Sequence, residues 1–155
     1  MPVRTITEYL DTRNVSYRCY NHPPADTAME VAESTHVPGH QLAKPVIVKA
    51  DDLFVMAVLP ADEQINLNLL RDTIGCDEIR LAHETEFSHL FPLCEIGGMP
   101  ALGRPFGLPV YLDKSLTHAD WIAFNAGTHT EVVKMDMEAF QRLEHPTICS
   151  FIQLH

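Results

Sequence analysis

Apolar positions along the chain follow two periods, and the switches between them predict the elements. Ile6, Tyr9 and Leu10 fall on one face of a helix over residues 5–13, where Thr5 and Glu8 have the spacing of a capping box. "SYRCY" (16–20) alternates weakly, as a short strand does. "DTAMEVAEST" (26–35) returns to helical spacing, with Ala28, Val31 and Ala32 on its apolar face and Thr27 and Glu30 as a second capping box. "KPVIVKA" (44–50) and "LFVMAVLP" (53–60) are β-branched-rich runs divided by Asp51-Asp52, which predicts a hairpin. A helix over 66–75 starts on the capping residue Asn66 and ends near Gly75. A short strand at 78–82 and a short helix at 84–91 come next. Further strands are expected at 108–113, 120–127 and 130–135. The closing helix at 136–145 has Met137, Phe140 and Leu143 on one face. Strands and helices mix without strict alternation, which predicts an α+β (mixed α/β) fold around one central sheet.

A chain of 155 residues is expected to form one domain over residues 1–155, with a core that needs no covalent staples. No run approaches the roughly 20 apolar residues that span a bilayer. The first residues contain no continuous apolar region, so no secretory leader is predicted. Cys19, Cys76, Cys94 and Cys149 stand far apart, without a CxxC pair. Reduced thiols and a cytoplasmic setting are the expectation. The net charge of −10 argues against an extensive nucleic-acid surface, because such a surface must neutralise many phosphates. Contact with one short end of a nucleic acid remains compatible with that charge.

Backbone punctuation is concentrated in "CEIGGMPALGRPFG" (94–107), which holds four of the chain's seven glycines. Glycine lets backbone N–H groups approach a ligand closely, and successive N–H groups can form a nest for an anion or carbonyl oxygen. The same segment is equally readable as a structural loop at a sheet edge. Lys44 enters an apolar strand, where an ammonium is costly to bury and shifts its pKa readily. It is either a site residue or a strand-edge lysine whose ammonium reaches water. "FNAGTHTE" (124–131) sets Asn125, Gly127 and His129 in a tight turn at a strand end. That suits polar groups aimed at a ligand, or plain hairpin chemistry. His22, before a double proline, could face a pocket or tie down the loop.

Several familiar chemistries are absent. His83 and His89 are six apart, so "HETEFSH" is not a zinc-binding helix, and no histidine spacing suggests a metal. There is no GxSxG elbow, and neither nucleotide-binding glycine loop is present. Neither a metal nor any cofactor is predicted.

Taken together, "LAKPVIVK", "VLPADEQINLNLL", "GGMPALGRPFGLPVYLDKSL" and "FNAGTHTEVVKM" resemble the YbaK/prolyl-tRNA-synthetase-associated domain family over nearly the whole chain. The resemblance implies a mixed, mostly antiparallel sheet wrapped by helices, with a pocket on one side. It implies an aminoacyl-tRNA deacylase, acting in trans on mischarged tRNA or as an inserted domain of prolyl-tRNA synthetase. The family's key lysine matches Lys44, and its glycine loop matches Gly97, Gly98, Met99, Pro100, Ala101 and on to Gly103. Its small polar position matches Asn125, and a basic residue of the next turn in some members matches His129. The sequence departs from the pattern at Ala101, at Asn125 where some deacylases have serine, and at Val132 where some have an acid.

The expected substrate contact is the 3′ end of an aminoacyl-tRNA, helped by a synthetase or elongation factor. Such editing answers a physical problem, since one methylene discriminates by only about 1–3 kcal/mol in a synthetase pocket. An ester is already activated, so positioned water and a stabilised oxyanion suffice. On this expectation Lys44 is catalytic, and His22, Gly97, Gly98, Met99, Pro100, Ala101, Asn125, Gly127 and His129 bind substrate. The alternative is a non-catalytic module for an aminoacyl or nucleotide-like ligand.

Overall fold

A computed structural model describes residues 3–23 and 27–154. The elements in chain order are α1 (Arg4–Thr12), β1 (Tyr17–Asn21), α2 (Ala28–Thr35), β2 (Ala43–Ala50), β3 (Leu53–Pro60), α3 (Leu67–Ile74) and β4 (Ile79–Leu81). They continue with α4 (Glu84–Phe87), β5 (Val110–Asp113), β6 (Trp121–Asn125), β7 (Glu131–Asp136), α5 (Met137–Glu144) and β8 (Thr147–Cys149). Mixed α/β is the class, and helices wrap the strands as expected. The strands form two sheets, however, where one was expected: β1-β7-β6 and β4-β2-β3-β5-β8. A parallel bridge between Leu42 and Ala123 joins them. Pairing is mostly antiparallel, with β3–β5 and β5–β8 parallel.

The strand patterns explain the layering. β3 lies between β2 and β5, is covered on both faces, and accordingly reads as a continuous apolar run, buried from Val55 to Pro60. Its hairpin with β2 turns at Asp51, which takes a left-handed φ of 52° and accepts hydrogen bonds from the N–H groups of Asp77 and Glu78. Between the sheets lies the main core, where Ile47, Met56 and Leu112 meet Ile122, Phe124 and Val133. α1 and α5 close it with Ile6, Leu10 and Phe140. α3 covers the outer face of the larger sheet through Leu70, and α2 covers the outer face of the smaller one through Val31 and Ala32.

Most caps follow the sequence. Thr27 Oγ1 accepts from Glu30 N at 3.1 Å, Asn66 Oδ1 accepts from Asn68 N and Leu69 N, and Gly75 ends α3 at φ 80°. The start expected for the second helix, at Asp26, lies outside the described residues. The capping box at Thr5 and Glu8 does not form. α1 begins one residue earlier, at Arg4, and Glu8 instead takes an ion pair from the Arg4 guanidinium one turn before it. The helix expected over 84–91 divides into one α-turn and a 3₁₀ turn at Ser88–Leu90, and β8 appears where no strand was expected. All four cysteines are free thiols. Among the described residues no helix is long and apolar enough to cross a membrane.

Candidate functional site

The smaller sheet brings the polar residues to one face. Across an antiparallel pair, opposed residues share a face. Val132 is opposed by Tyr20 on one side and Asn125 on the other, and Val132 is buried against α2. Asn125 therefore lies on the α2 face. His22, two residues beyond Tyr20, falls on the same face by alternation. The bridge of Leu42 to Ala123 is parallel, so Lys44 and Asn125 each stand two residues further along in the same direction, on the face where Leu42 and Ala123 pack. Lys44 and Asn125 thus stand in matched register on the two strands that the bridge joins, and His22 follows β1 on the Asn125 face of the smaller sheet. Val132 is wholly buried and serves here as packing.

The glycine-rich segment meets this face through its first half only. Asn125 Nδ2 donates to the Gly97 carbonyl at 3.3 Å, and Gly127 N donates to the Gly98 carbonyl at 2.9 Å. Glu95 N donates in turn to the Gly127 carbonyl at 2.8 Å. A Cβ on Gly98 would lie 2.8 Å from the carbonyl carbon of Thr128, so only glycine permits this approach. Gly127 takes a φ of 93°, and a Cβ there would overlap Val3 at the start of α1. His129 packs beside Gly97, and its Nε2 stands 3.7 Å from the Glu95 carboxylate.

The second half of the segment belongs to the core. Met99 lines a small apolar hollow with Phe87, Phe91 and Ile96. Pro100 is buried, and Ala101 and Leu102 are wholly enclosed by the main core. Gly103 N donates to Glu144 Oε1 at 2.6 Å, and Arg104 N reaches the same oxygen at 3.3 Å. Within 97–103 the hydrogen bonds to the Asn125 turn come from Gly97 and Gly98, while Met99 is half-buried and Pro100 and Ala101 are buried. Residues 104–106 form a 3₁₀ turn leading toward β5.

Two atoms on the α2 face are chemically incomplete. His22 N donates to the Thr130 carbonyl at 2.8 Å, and His22 Nδ1 lies 2.8 Å from the Pro23 carbonyl. A carbonyl only accepts, so Nδ1 holds a proton and in the neutral ring Nε2 is the acceptor. Asn125 uses its amino group on Gly97, which fixes Oδ1 as the other acceptor. Both His22 Nε2 and Asn125 Oδ1 are buried with no hydrogen-bond partner among the described residues. Lys44 supplies the complementary charge. Its Nζ donates to the Ala61 carbonyl at 3.4 Å. Partial burial holds its pKa below the ordinary 10.5, against the upward pull of the Asp62 and Glu63 carboxylates. The Lys44 ammonium and these two acceptors make a set suited to an ester with a neighbouring amine or hydroxyl.

Sequence reasoning missed two residues. Glu95 braces the turn from within the glycine-rich segment, and no motif marks it. Glu144 is buried and anchors the segment's second half, although its place in the closing helix reads as an ordinary polar position.

Comparison with known proteins places this chain among relatives. Residues 22–143 match the aminoacyl-tRNA editing domain family. A proline–tRNA ligase of Leptospira biflexa is 32% identical over 101 residues, which is 64% of this chain and 17% of the ligase. That of Heliobacterium modesticaldum is 34% identical over 94 residues, covering 59% of this chain and 16% of the ligase. The chain thus matches about a sixth of the length of these enzymes. Among solved structures, one described as a candidate trans-editing enzyme for prolyl-tRNA synthetase superposes with a TM-score of 0.86. It covers 97% of this chain and 96% of its own, at 20% identity, and so shares the fold.

Proposed function

This chain belongs to the aminoacyl-tRNA editing domain family, and from that premise we propose that it is a deacylase acting in trans on the ester of a mischarged tRNA. The observation that carries the reading is the pair of buried acceptors without a partner among the described residues, His22 Nε2 and Asn125 Oδ1, together with the Lys44 ammonium. A buried acceptor without a donor is costly, and a ligand that donates removes the cost. An aminoacyl ester brings such donors in its α-ammonium and its ribose hydroxyl, and the attacking water brings another.

In this mechanism water adds to the ester carbonyl carbon. The carbonyl oxygen gains charge, and the bond to the ribose oxygen then breaks as that oxygen takes the water's proton. Lys44 stabilises the developing oxyanion as a cation of reduced hydration. Asn125 Oδ1 orients either the water or the α-ammonium. Gly97 and Gly98 fix the Asn125 turn, and His129 with Glu95 braces it. No serine or cysteine nucleophile is required. The polynucleotide contact is the 3′ end of the tRNA, and a synthetase or elongation factor in the cytoplasm would deliver it.

The test is a deacylation screen of the full chain on Ala-, Ser- and Cys-charged tRNA-Pro together with other mischarged tRNAs. Hydrolysis of at least one, abolished in Lys44→Ala, is the expected result. Hydrolysis unchanged in that variant removes the mechanism. One observation favours a second reading, a binding module without catalysis. The Gly98 N–H, an expected oxyanion donor, is engaged by the Glu95 carbonyl at 3.0 Å. Charged tRNA bound but never hydrolysed across the panel would establish that reading.

A further inference from the structure

A second polar feature lies at the opposite end of α1. A cleft of about 550 Å³ opens between the turn after α1, the 3₁₀ turn at Arg104 and the end of α5. Three of the chain's eleven Lys and Arg residues line it, Arg13, Arg104 and Arg142, together with His145 and a single acid, Asp136. The net charge of −10 makes such convergence unusual.

Two of the guanidinium groups are held in place. Arg13 lies over the Tyr9 ring, 4.2 Å from its centroid. Arg104 Nε donates to the Glu144 carbonyl at 3.0 Å. Held arginines lose little freedom on engaging phosphate, whose geometry their planar forks match. Arg13 and Arg142 stand at helix C-termini, where the macrodipole alone favours a cation. Arg104 belongs to neither helix, so the dipoles do not account for the cluster.

The cleft has a fixed distance from the candidate site. Val3, just before α1, donates from its N–H to Ala126 beside the Asn125 turn, while Arg13 follows the helix at its other end. The nine residues between span about 14 Å at 1.5 Å each. That is about four stacked nucleotides at ~3.4 Å apiece. The glycine-rich segment runs the same course, from Gly97 at the turn to Arg104 at the cleft.

We propose that the Arg13–Arg104–Arg142 cleft binds tRNA backbone phosphates a few nucleotides inward from the aminoacylated end. This rests on the editing reading for its choice of partner, but its test needs no hydrolysis. Uncharged tRNA is titrated with the full chain over a salt series, using the parent, Arg13→Gln/Arg142→Gln, the charge-keeping Arg13→Lys/Arg142→Lys, and Arg71→Gln as a distant control. The Gln pair should bind more weakly and flatten the slope of log K against log salt by about 0.7–0.9 per lost phosphate contact. The Lys pair should keep the slope, and the control should match the parent. A parent that binds no tRNA, or a Gln pair with the parent's affinity and slope, overturns the proposal. AMP and inorganic phosphate form a second arm. Loss of their binding in the Gln pair, with tRNA affinity intact, reassigns the cleft to small phosphate compounds and also overturns it. Arginine-dependent tRNA binding in a protein that hydrolyses no aminoacyl ester leaves this inference standing and removes the deacylase reading.

Discussion

Glu144 and Asn125 contact the two halves of one glycine-rich segment and are satisfied to opposite degrees. The Glu144 carboxylate is 2% exposed and accepts from Gly103 N, Arg104 N and the Tyr9 hydroxyl. Asn125 donates once, to Gly97, and leaves Oδ1 buried without a donor among the described residues. A fully satisfied buried polar group fixes a fold, because every neighbour depends on it. A half-satisfied one weakens the fold and is informative about ligands. The segment is thus anchored at Gly103 by Glu144, and its start at Gly97–Gly98 holds the turn that carries Asn125. The difference separates the structural glycines from those of the site, which composition could not.

The sharpest way to break that division is Glu144→Ala. It strands two backbone donors and a buried tyrosine hydroxyl, and should cost about 3–5 kcal/mol of stability. Urea denaturation measures the loss. Hydrolysis per folded molecule should stay within about threefold of the parent. A stable Glu144→Ala protein would show that the anchor is not structural.

Lys44→Ala should reverse the pattern. Removing a cation aimed at a developing oxyanion costs about 10²–10³-fold in turnover. Stability should change by less than ~1 kcal/mol, since a partly buried ammonium is itself a burden on the fold. Parallel denaturation and single-turnover deacylation separate the two effects.

Asn125→Ala should fall between. Losing one neutral hydrogen bond costs the fold about 0.5–1.5 kcal/mol. Losing a positioned acceptor should lower kcat/KM by about 10–100-fold, or ~1.4–2.7 kcal/mol. Asn125→Ser, which keeps a small polar acceptor, should recover part of the activity. Equal losses of stability and activity in Asn125→Ala would assign it to the same class as Glu144.

Much of this was legible because local physics decided it. The caps at Thr27 and Asn66, the Asp51 hairpin and the doubly covered β3 all follow from short-range pattern. Lys44 stands out as a lysine in an apolar strand, Gly97 as part of a glycine cluster, and Asn125 as a polar residue in a tight turn at a strand end. Their common face was not legible, because it depends on the Leu42–Ala123 bridge between two sheets, a pairing of residues 81 positions apart. For the same reason one sheet was expected where two form. Which way Ala101 packs was not legible, because an alanine beside Leu102 carries no local sign of direction. Glu144 and the arginine cleft were invisible because nothing in sequence brings residue 13 to 104 and 142.

The smallest effect expected is also the most diagnostic, because the Lys44 contribution to stability and the activity should move in opposite directions with pH. Burial lowers the Lys44 pKa, so the folded chain gives up that proton before the unfolded chain does. Between the folded value and the ordinary 10.5, the unfolded state binds more protons, and the contribution of Lys44 to stability rises with pH. Three thiols act in the opposite sense. Cys94 is pushed up to about 11 by burial, and Cys19 and Cys149 are raised as well, so their contribution is lost as pH climbs past 9.0. The parent should therefore weaken at alkaline pH, and Lys44→Met should weaken faster, since it lacks the opposing contribution. Hydrolysis, which needs the ammonium, should meanwhile fall on an alkaline limb below pH 10.5. Lys44→Arg keeps its charge throughout and should move that limb upward or remove it. Denaturation and kcat/KM recorded across the same buffers test both signs. An alkaline limb unchanged in Lys44→Arg would show that a group other than Lys44 governs the reaction.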